Sequence, residues 1–309
     1  MTAAIACFGA AHIDHKAHAA GSVRLGTSNP VTIVRSPGGV ARNVAESLAR
    51  LGCRIALVSR LGRDRDGDQV AGDIAGLGVD ISFSGRSESG RTAGYTALLD
   101  GRGELVVAMA DMAIYDEVTP DLVEPLLPAL AAYPVWFLDT NFPDGTVRFL
   151  LDHRPPEVVL VAVDAVSVAK ADKLRGQLDR IDLLIANRDE IGFLADMEIR
   201  APLDVCEAAN RLRAEGVGTI AVNMGADGSF LASDRTYDFL PAMPARVCDV
   251  TGAGDALTAG VLYGQANGRP IAEAMRLGLA NAALTIECPE TVNPSLTPDL
   301  LMARAELRS

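Results

Sequence analysis

The chain has 309 residues, with 28 Lys plus Arg against 40 Asp plus Glu, a formal charge of −12, and it is 49% hydrophobic and 22% charged. That composition belongs to a folded globular protein, and the acidic balance disfavours both a nucleic acid and an anionic membrane surface as partner. A polyanionic small molecule would need local compensation from Lys, Arg, backbone N–H groups or a metal ion.

The five cysteines are scattered without a C-x-x-C pair and read as reduced thiols, Cys248 and Cys288 among them as core thiols. The longest apolar run, residues 126–138, is interrupted by Pro128 and Pro134 and is too short to span a bilayer. The N-terminus shows neither a basic n-region nor a long apolar segment, so a cytoplasmic location is expected.

In chain order, residues 5–9 read as a buried first strand. Val40, Val44, Leu48 and Leu51 then recur at helical spacing, and Gly52 stops the pattern. Residues 54–59 are the next strand and 66–77 the next helix. Residues 135–139, 158–164, 183–187 and 219–223 are short runs, apolar nearly throughout, each ending at a polar residue, with a helix over 203–214 among them. Such runs suit parallel strands covered on both faces. Ligands sit beyond the carboxyl ends of such strands, which places Asp139, Asp164, Asn187 and Asn223 on one rim.

Two stretches break the rhythm. Residues 31–35, and the pair 93–99 and 104–110 joined by Asp100-Gly101-Arg102-Gly103, alternate like antiparallel strands without an intervening helix. They predict a small sheet covering a site, inserted at about 12–36 and 92–111 in a single domain spanning 1–309. Its open edges also suit a homodimer.

The most informative stretch is Asp249-Val250-Thr251-Gly252-Ala253-Gly254-Asp255, followed by a helical pattern over 256–267. Glycines before a helix let backbone N–H groups converge at its positive end, which makes an anion hole. A carboxylate there, Asp255, would repel phosphate unless it accepts a proton from an attacking hydroxyl. On spacing alone two readings stay open: that one, and an ordinary turn with Asp255 satisfying the helix N-terminus.

This segment resembles the C-terminal signature of the ribokinase/PfkB carbohydrate kinases. Gly38-Gly39 with Asn43 is similar to their N-terminal glycine motif, His12-Ile13-Asp14 follows the first strand as theirs does, Asn187-Arg188-Asp189-Glu190 fits their N-x-x-E, and Asn223-Met224-Gly225-Ala226-Asp227-Gly228 fits their nucleotide-side turn. The likeness covers nearly the whole chain and implies a three-layer, doubly wound, mostly parallel α/β sheet with a small β-sheet lid. Within the family, Ser28-Asn29-Pro30, the segment 37–45, the turn 98–104, Ala110-Asp111-Met112 and 164–170 look like pseudouridine kinases. That implies phosphorylation of the 5′-hydroxyl of pseudouridine. Kinases of other nucleosides, of ribose or of fructose phosphates share the glycine motifs and are the alternative. A non-catalytic nucleoside or sugar sensor is the reading from another class, disfavoured by an intact Asp255. The absence of G-x-G-x-x-G after the first strand argues against a dinucleotide oxidoreductase.

The resemblance also implies roles. Asp255 is the base, already ionised at neutral pH by its reference pKa of about 3.9, and the N–H groups of Gly252, Ala253 and Gly254 meet the developing charge. Asp14, Gly38, Gly39 and Asn43 bind the ribose hydroxyls; Asn29, Asp111, Asp164 and Lys170 complete the acceptor side, with Asn29 or Asp111 near the base. For ATP, the resemblance implies Asn187, Asn223, Gly225, Gly228 and Thr251, with Asn281 facing the site near the adenine. Asn187 and Glu190 organise Mg²⁺ through water, and Asp249 is the candidate ligand for a monovalent cation such as K⁺. His12, by contrast, reads as a satisfied strand-end histidine.

Overall fold

The computed structural model describes residues 2–306. Its strands, in chain order, are β1 (Ala4–Phe8), β2 (His12–Ala19), β3 (Val31–Gly38), β4 (Arg54–Val58), β5 (Arg60–Leu61), β6 (Gly85–Arg86), β7 (Gly94–Leu99), β8 (Leu105–Asp111), β9 (Val135–Asp139), β10 (Leu160–Asp164), β11 (Leu183–Asn187), β12 (Thr219–Asn223), β13 (Ser229–Ala232) and β14 (Tyr237–Leu240). The large sheet has the order β14-β13-β12-β11-β10-β9-β1-β4. From β12 to β4 all pairs are parallel, while β13 and β14 extend the sheet as antiparallel strands.

Alternate residues of each central strand feed two cores. Phe8, Trp136, Leu138, Val163 and Val222 face one side, while Ile5, Cys7, Phe137, Ala162 and Ala221 face the other. Because both faces are buried, the strands show no polar alternation, as expected for a parallel sheet between helical layers. The helices Val40–Arg50, Ala253–Ala266 and Ile271–Ile286 supply the second core. This is the three-layer, doubly wound arrangement that the sequence implies.

A second sheet, ordered β3-β2-β7-β8, stands apart from the main one. The predicted hairpin is β7 and β8, antiparallel, and β3 is the other edge. Its two inner strands, β2 and β7, run parallel to each other. No separate strand is legible at β2 in sequence, because three histidines, an aspartate and a lysine interrupt the apolar pattern over 12–18. One face of this sheet leaves Ile33, Leu105 and Met109 each more than half exposed. No helix among the described residues is long and apolar enough to cross a membrane. The five cysteines are unpaired; Cys248 is exposed rather than a core thiol, and Cys288 is half-buried.

Candidate active site

Strands β9 to β12 lie side by side, so Asp139, Asp164, Asn187 and Asn223 do form one rim. Asp139 is buried and occupied by backbone: its Oδ2 accepts from the N–H groups of Ala10 at 2.8 Å and Ala41 at 3.0 Å. Its Oδ1 accepts from the backbone and side chain of Asn141. It locks the end of β1 against the start of the Val40–Arg50 helix.

That helix carries Asn43, which reaches the signature segment. Asn43 Nδ2 donates to Asp255 Oδ2 at 2.7 Å. The orientation of the carboxamide follows from its other neighbour: Arg42 Nη1, which can only donate, holds Asn43 Oδ1 at 2.8 Å, so the amide nitrogen must face Asp255. Arg42 is itself buried and ion-paired with Glu46 one turn on. Asn43 is therefore no outer-face residue.

Asp255 lies in the first turn of the Ala253–Ala266 helix, whose N-cap Gly252 is left-handed with φ 81°. A Cβ at Gly252 would come within 2.1 Å of the Thr291 carbonyl oxygen, so both the conformation and the close approach require glycine. The Ala253 N–H turns back to the Val250 carbonyl at 3.3 Å. Those of Gly252 and Gly254 find no acceptor among the described residues and are free to meet an anion. An anion there could be met by Gly252 and Gly254, and less by Ala253, whose N–H is already engaged. Burial pushes the Asp255 carboxyl up to about 7; the Asn43 hydrogen bond opposes this, and the charges of Asp139 and Asp14 add to it. The reference value behind the expectation of full ionisation at neutral pH leaves out this desolvation.

Two cavities meet at Asp255. The first, about 240 Å³, is lined by Asp14, Gly39, Asn43, Lys170, Gly252 and Asp255, together with His12, Tyr95, Met112 and Asn141. Tyr95 comes from the small sheet and Met112 directly follows it, so the sheet does cover this cavity. Gly38 lies behind it, where a side chain would collide with the Asp14 carboxylate. His12 is a satisfied strand-end histidine, as expected: it opens β2, its Nε2 lies 3.1 Å from Asp14 Oδ1 and its Nδ1 3.3 Å from the Tyr115 hydroxyl. Lys170 donates to Asn141 Oδ1 at 2.6 Å, and burial lowers its pKa against the pull of Asp139.

The second cavity, about 160 Å³, is lined by Asp164, Asn187, Glu190, Asn223, Gly254 and Asp255. Asp164 therefore lies with Asn187 and Glu190 in the second cavity and not in the first, where it was expected. Burial raises its carboxyl well above the usual range, and the charges of Glu190 and Asp255 raise it further. Asn187 caps the Arg188–Leu194 helix: its side chain accepts from the Glu190 N–H, and Glu190 in return accepts from the Asn187 N–H and Nδ2. Burial raises Glu190 as well. Among the described residues no three acidic, His or Cys side chains converge to grip a bare ion. A small cavity lined by Asp164, Glu190 and Asp255 instead fits a hydrated Mg²⁺, which keeps most of its waters.

A third cavity, about 470 Å³, opens from Asn223, Gly225 and Gly254 toward Val250, Leu257, Leu279 and Ala283, and suits a flat apolar ring attached to phosphates. Four residues expected on the nucleotide side are not in it: Asn187, which lines the second cavity, Gly228, Thr251 and Asn281. Asn281 is fully buried and its Nδ2 donates to the Ala256 carbonyl at 2.8 Å, clasping two helices. Gly228 does not line it either: its φ is 93°, and a Cβ would sit 2.1 Å from the Leu240 carbonyl oxygen, so it lets the β12–β13 turn pack against the end of β14. Thr251 lines the acceptor cavity rather than the nucleotide cavity.

On the acceptor side, Asn29 and Asp111 fail the expectation of base contact. Asn29 Oδ1 accepts from the Arg24 N–H and its Nδ2 donates to the Arg24 and Thr27 carbonyls, closing its own loop. Asp111 is exposed at the end of β8, paired with Gly94, while its neighbour Met112 reaches the cavity. Asn141, Tyr95 and Met112 are the residues that sequence reading missed. Asn141 follows the predicted strand 135–139 by two positions, the signal that would have found it.

The profile of the pfkB family carbohydrate kinases matches residues 2–298. Pseudouridine kinase of Escherichia coli (strain K12) is 31% identical over 295 residues, covering 95% of this chain and 93% of that protein. A carbohydrate kinase from Agrobacterium tumefaciens superposes with a TM-score of 0.84 at 32% identity, covering 98% of this chain and 97% of its own. Arabidopsis thaliana ribokinase complexed with ribose and ATP superposes with a TM-score of 0.90 at 22% identity over 99% of both chains, a likeness of fold.

Proposed function

The chain belongs to the pfkB family of carbohydrate kinases, phosphotransferases acting on an alcohol group, and on that premise we propose that it transfers a phosphoryl group from ATP to the 5′-hydroxyl of pseudouridine. The observation that carries the chemistry is the placement of Asp255 at the junction of the acceptor and phosphate cavities, with Asn43 bonded to it and two free glycine N–H groups beside it. The likeness to pseudouridine kinase supports the choice of acceptor.

In this reading Asp14 and Asn43 hold the ribose hydroxyls, and Asp255 accepts the proton of the attacking hydroxyl. A carboxyl titrating near 7 is matched to that task at neutral pH, where it is both partly ionised and basic enough to take a proton. Charge developing on the transferred group meets the N–H groups of Gly252 and Gly254 at the positive end of the helix. Asn187, Glu190 and Asp164 would hold hydrated Mg²⁺, which supplies charge neutralisation when bound. The base lies toward Tyr95, Met112 and Asn141, and a second copy of the chain covers the exposed apolar face of the small sheet.

Coupled ADP release with pseudouridine, uridine, adenosine, ribose and fructose 6-phosphate tests the acceptor. Pseudouridine is expected to give the highest kcat/KM; background turnover with it, or a much higher value for another acceptor, rejects it.

A further inference from the structure

The resemblance implies a monovalent cation at Asp249, and the donor set there does not fit one. Lys16 Nζ donates to Asp249 Oδ2 at 2.9 Å and to Thr251 Oγ1 at 3.0 Å. The other carboxylate oxygen, Oδ1, accepts from the Thr251 N–H at 2.8 Å and from its hydroxyl at 2.7 Å. The bonding is consistent around the ring: the Thr251 hydroxyl gives its proton to Asp249 and takes one from Lys16. Both oxygens of Asp249 are engaged, and a second cation beside them would face an ammonium within contact distance. Burial works to raise the Asp249 carboxyl, yet the Lys16 and Thr251 hydrogen bonds outweigh it and hold it below its ordinary value.

The source of the ammonium matters as much as its charge. Lys16 sits on β2, an inner strand of the small sheet, 233 positions from Asp249 in sequence. His12, Asp14 and Lys16 are alternate residues of that strand and share a face. The same face thus presents Asp14 to the acceptor cavity and Lys16 to the loop that leads into the anion hole.

We propose that Lys16 is a positioning residue that serves as the resident cation of the 249–252 loop, fastening the lid to the anion hole so that phosphoryl transfer needs no dissociable monovalent ion. The proposal rests on the kinase reading but not on pseudouridine as the acceptor.

The test compares wild type, Lys16→Met and Lys16→Arg in KCl, NH₄Cl and choline chloride at matched ionic strength, with the acceptor that the substrate panel returns. Melting temperature and Mg·ATP affinity are read in the same salts, so the cation question is answered even if no panel member turns over. Wild type is expected to show the same rate, affinity and melting temperature in all three salts. Lys16→Met is expected to lose about 100-fold in kcat in choline through misplacement of the loop, and to recover a large part of it in K⁺ or NH₄⁺, with Mg·ATP affinity following. Lys16→Arg is expected to stay cation-independent. Activation or stabilisation of wild type by K⁺ overturns the proposal. So does a folded Lys16→Met that matches wild type, or one that stays impaired in every salt, which would mark a packing role alone.

Discussion

Asn43 and Asp255 are separated by 212 positions in sequence and joined by a 2.7 Å hydrogen bond in the fold. The bond ties the helix that follows the N-terminal glycine pair to the helix that follows the C-terminal signature. Since Arg42 fixes which end of the Asn43 carboxamide faces the carboxylate, the pair is a set geometry rather than a chance contact.

Asp255→Asn is expected to lower kcat by about a thousandfold or more, within the range of general-base loss, while acceptor and Mg·ATP still bind. The same change should stabilise the fold. The folded carboxyl titrates near 7, well above its unfolded value, so ionisation penalises the folded state progressively as pH rises from about 4 to 7. Asp255→Asn should therefore melt higher than wild type at pH 8, by a few kcal/mol at most, with the gap closing toward pH 4. Equal melting temperatures at pH 8 would remove the claim that this carboxyl is desolvated.

For wild type, kcat/KM is expected to fall as pH drops through about 7, the value at which Asp255 takes up its proton in the free enzyme. Asn43→Ala removes the hydrogen bond that opposes protonation, so its acidic limb should move to higher pH. A limb that stays put, or moves down, would mean another group controls the profile.

Glu190→Gln removes a charge from the phosphate cavity and keeps one of the two hydrogen bonds that the carboxylate accepts from Asn187, since the amide nitrogen cannot accept. The Mg²⁺ concentration for half-maximal rate should rise by about tenfold, the usual effect of altering an outer-shell partner, with the acceptor KM little changed. A Mg²⁺ titration curve that overlays wild type counts against this placement.

Gly225 and Gly228 lie in one turn and should respond differently. Ala at Gly228 collides with the Leu240 carbonyl and adopts a left-handed φ, a loss above about 2 kcal/mol in chemical denaturation. Ala at Gly225 meets nothing within 4 Å and bears only the strain of φ 64°, about 1 kcal/mol. If Gly225→Ala proves the more destabilising, the assignment of Gly228 as the structural glycine is wrong.

Charges at Ile33 and Met109, on the exposed face of the small sheet, should leave the monomer folded and abolish the dimer in light scattering. A wild-type protein that is monomeric at every concentration rejects the second copy as occupant.

Much of the parallel sheet is legible in the chain because a strand buried on both faces is a continuous apolar run, and its polar last residue marks the rim. The observed β9, β11 and β12 have the predicted bounds. Strands β13 and β14 escape because they are four residues long and belong to a local meander without a helix between them. The signature helix is legible from its glycines. Asn281 misled because a helical polar residue looks the same in sequence whether it faces a ligand or clasps a neighbouring carbonyl.

The sequence alone determined the family, the carboxylate at the helix N-terminus and the glycines around it, since these depend on local backbone geometry and short spacing. Only the tertiary structure decided that Asp164 shares a cavity with Asn187 and Glu190, that Asn29 and Asp111 lie outside the acceptor cavity, that burial raises the Asp255 carboxyl and that Lys16 meets Asp249. These depend on which distant elements pack together and how much water they exclude, and desolvation and long-range pairing leave no periodic trace along a chain.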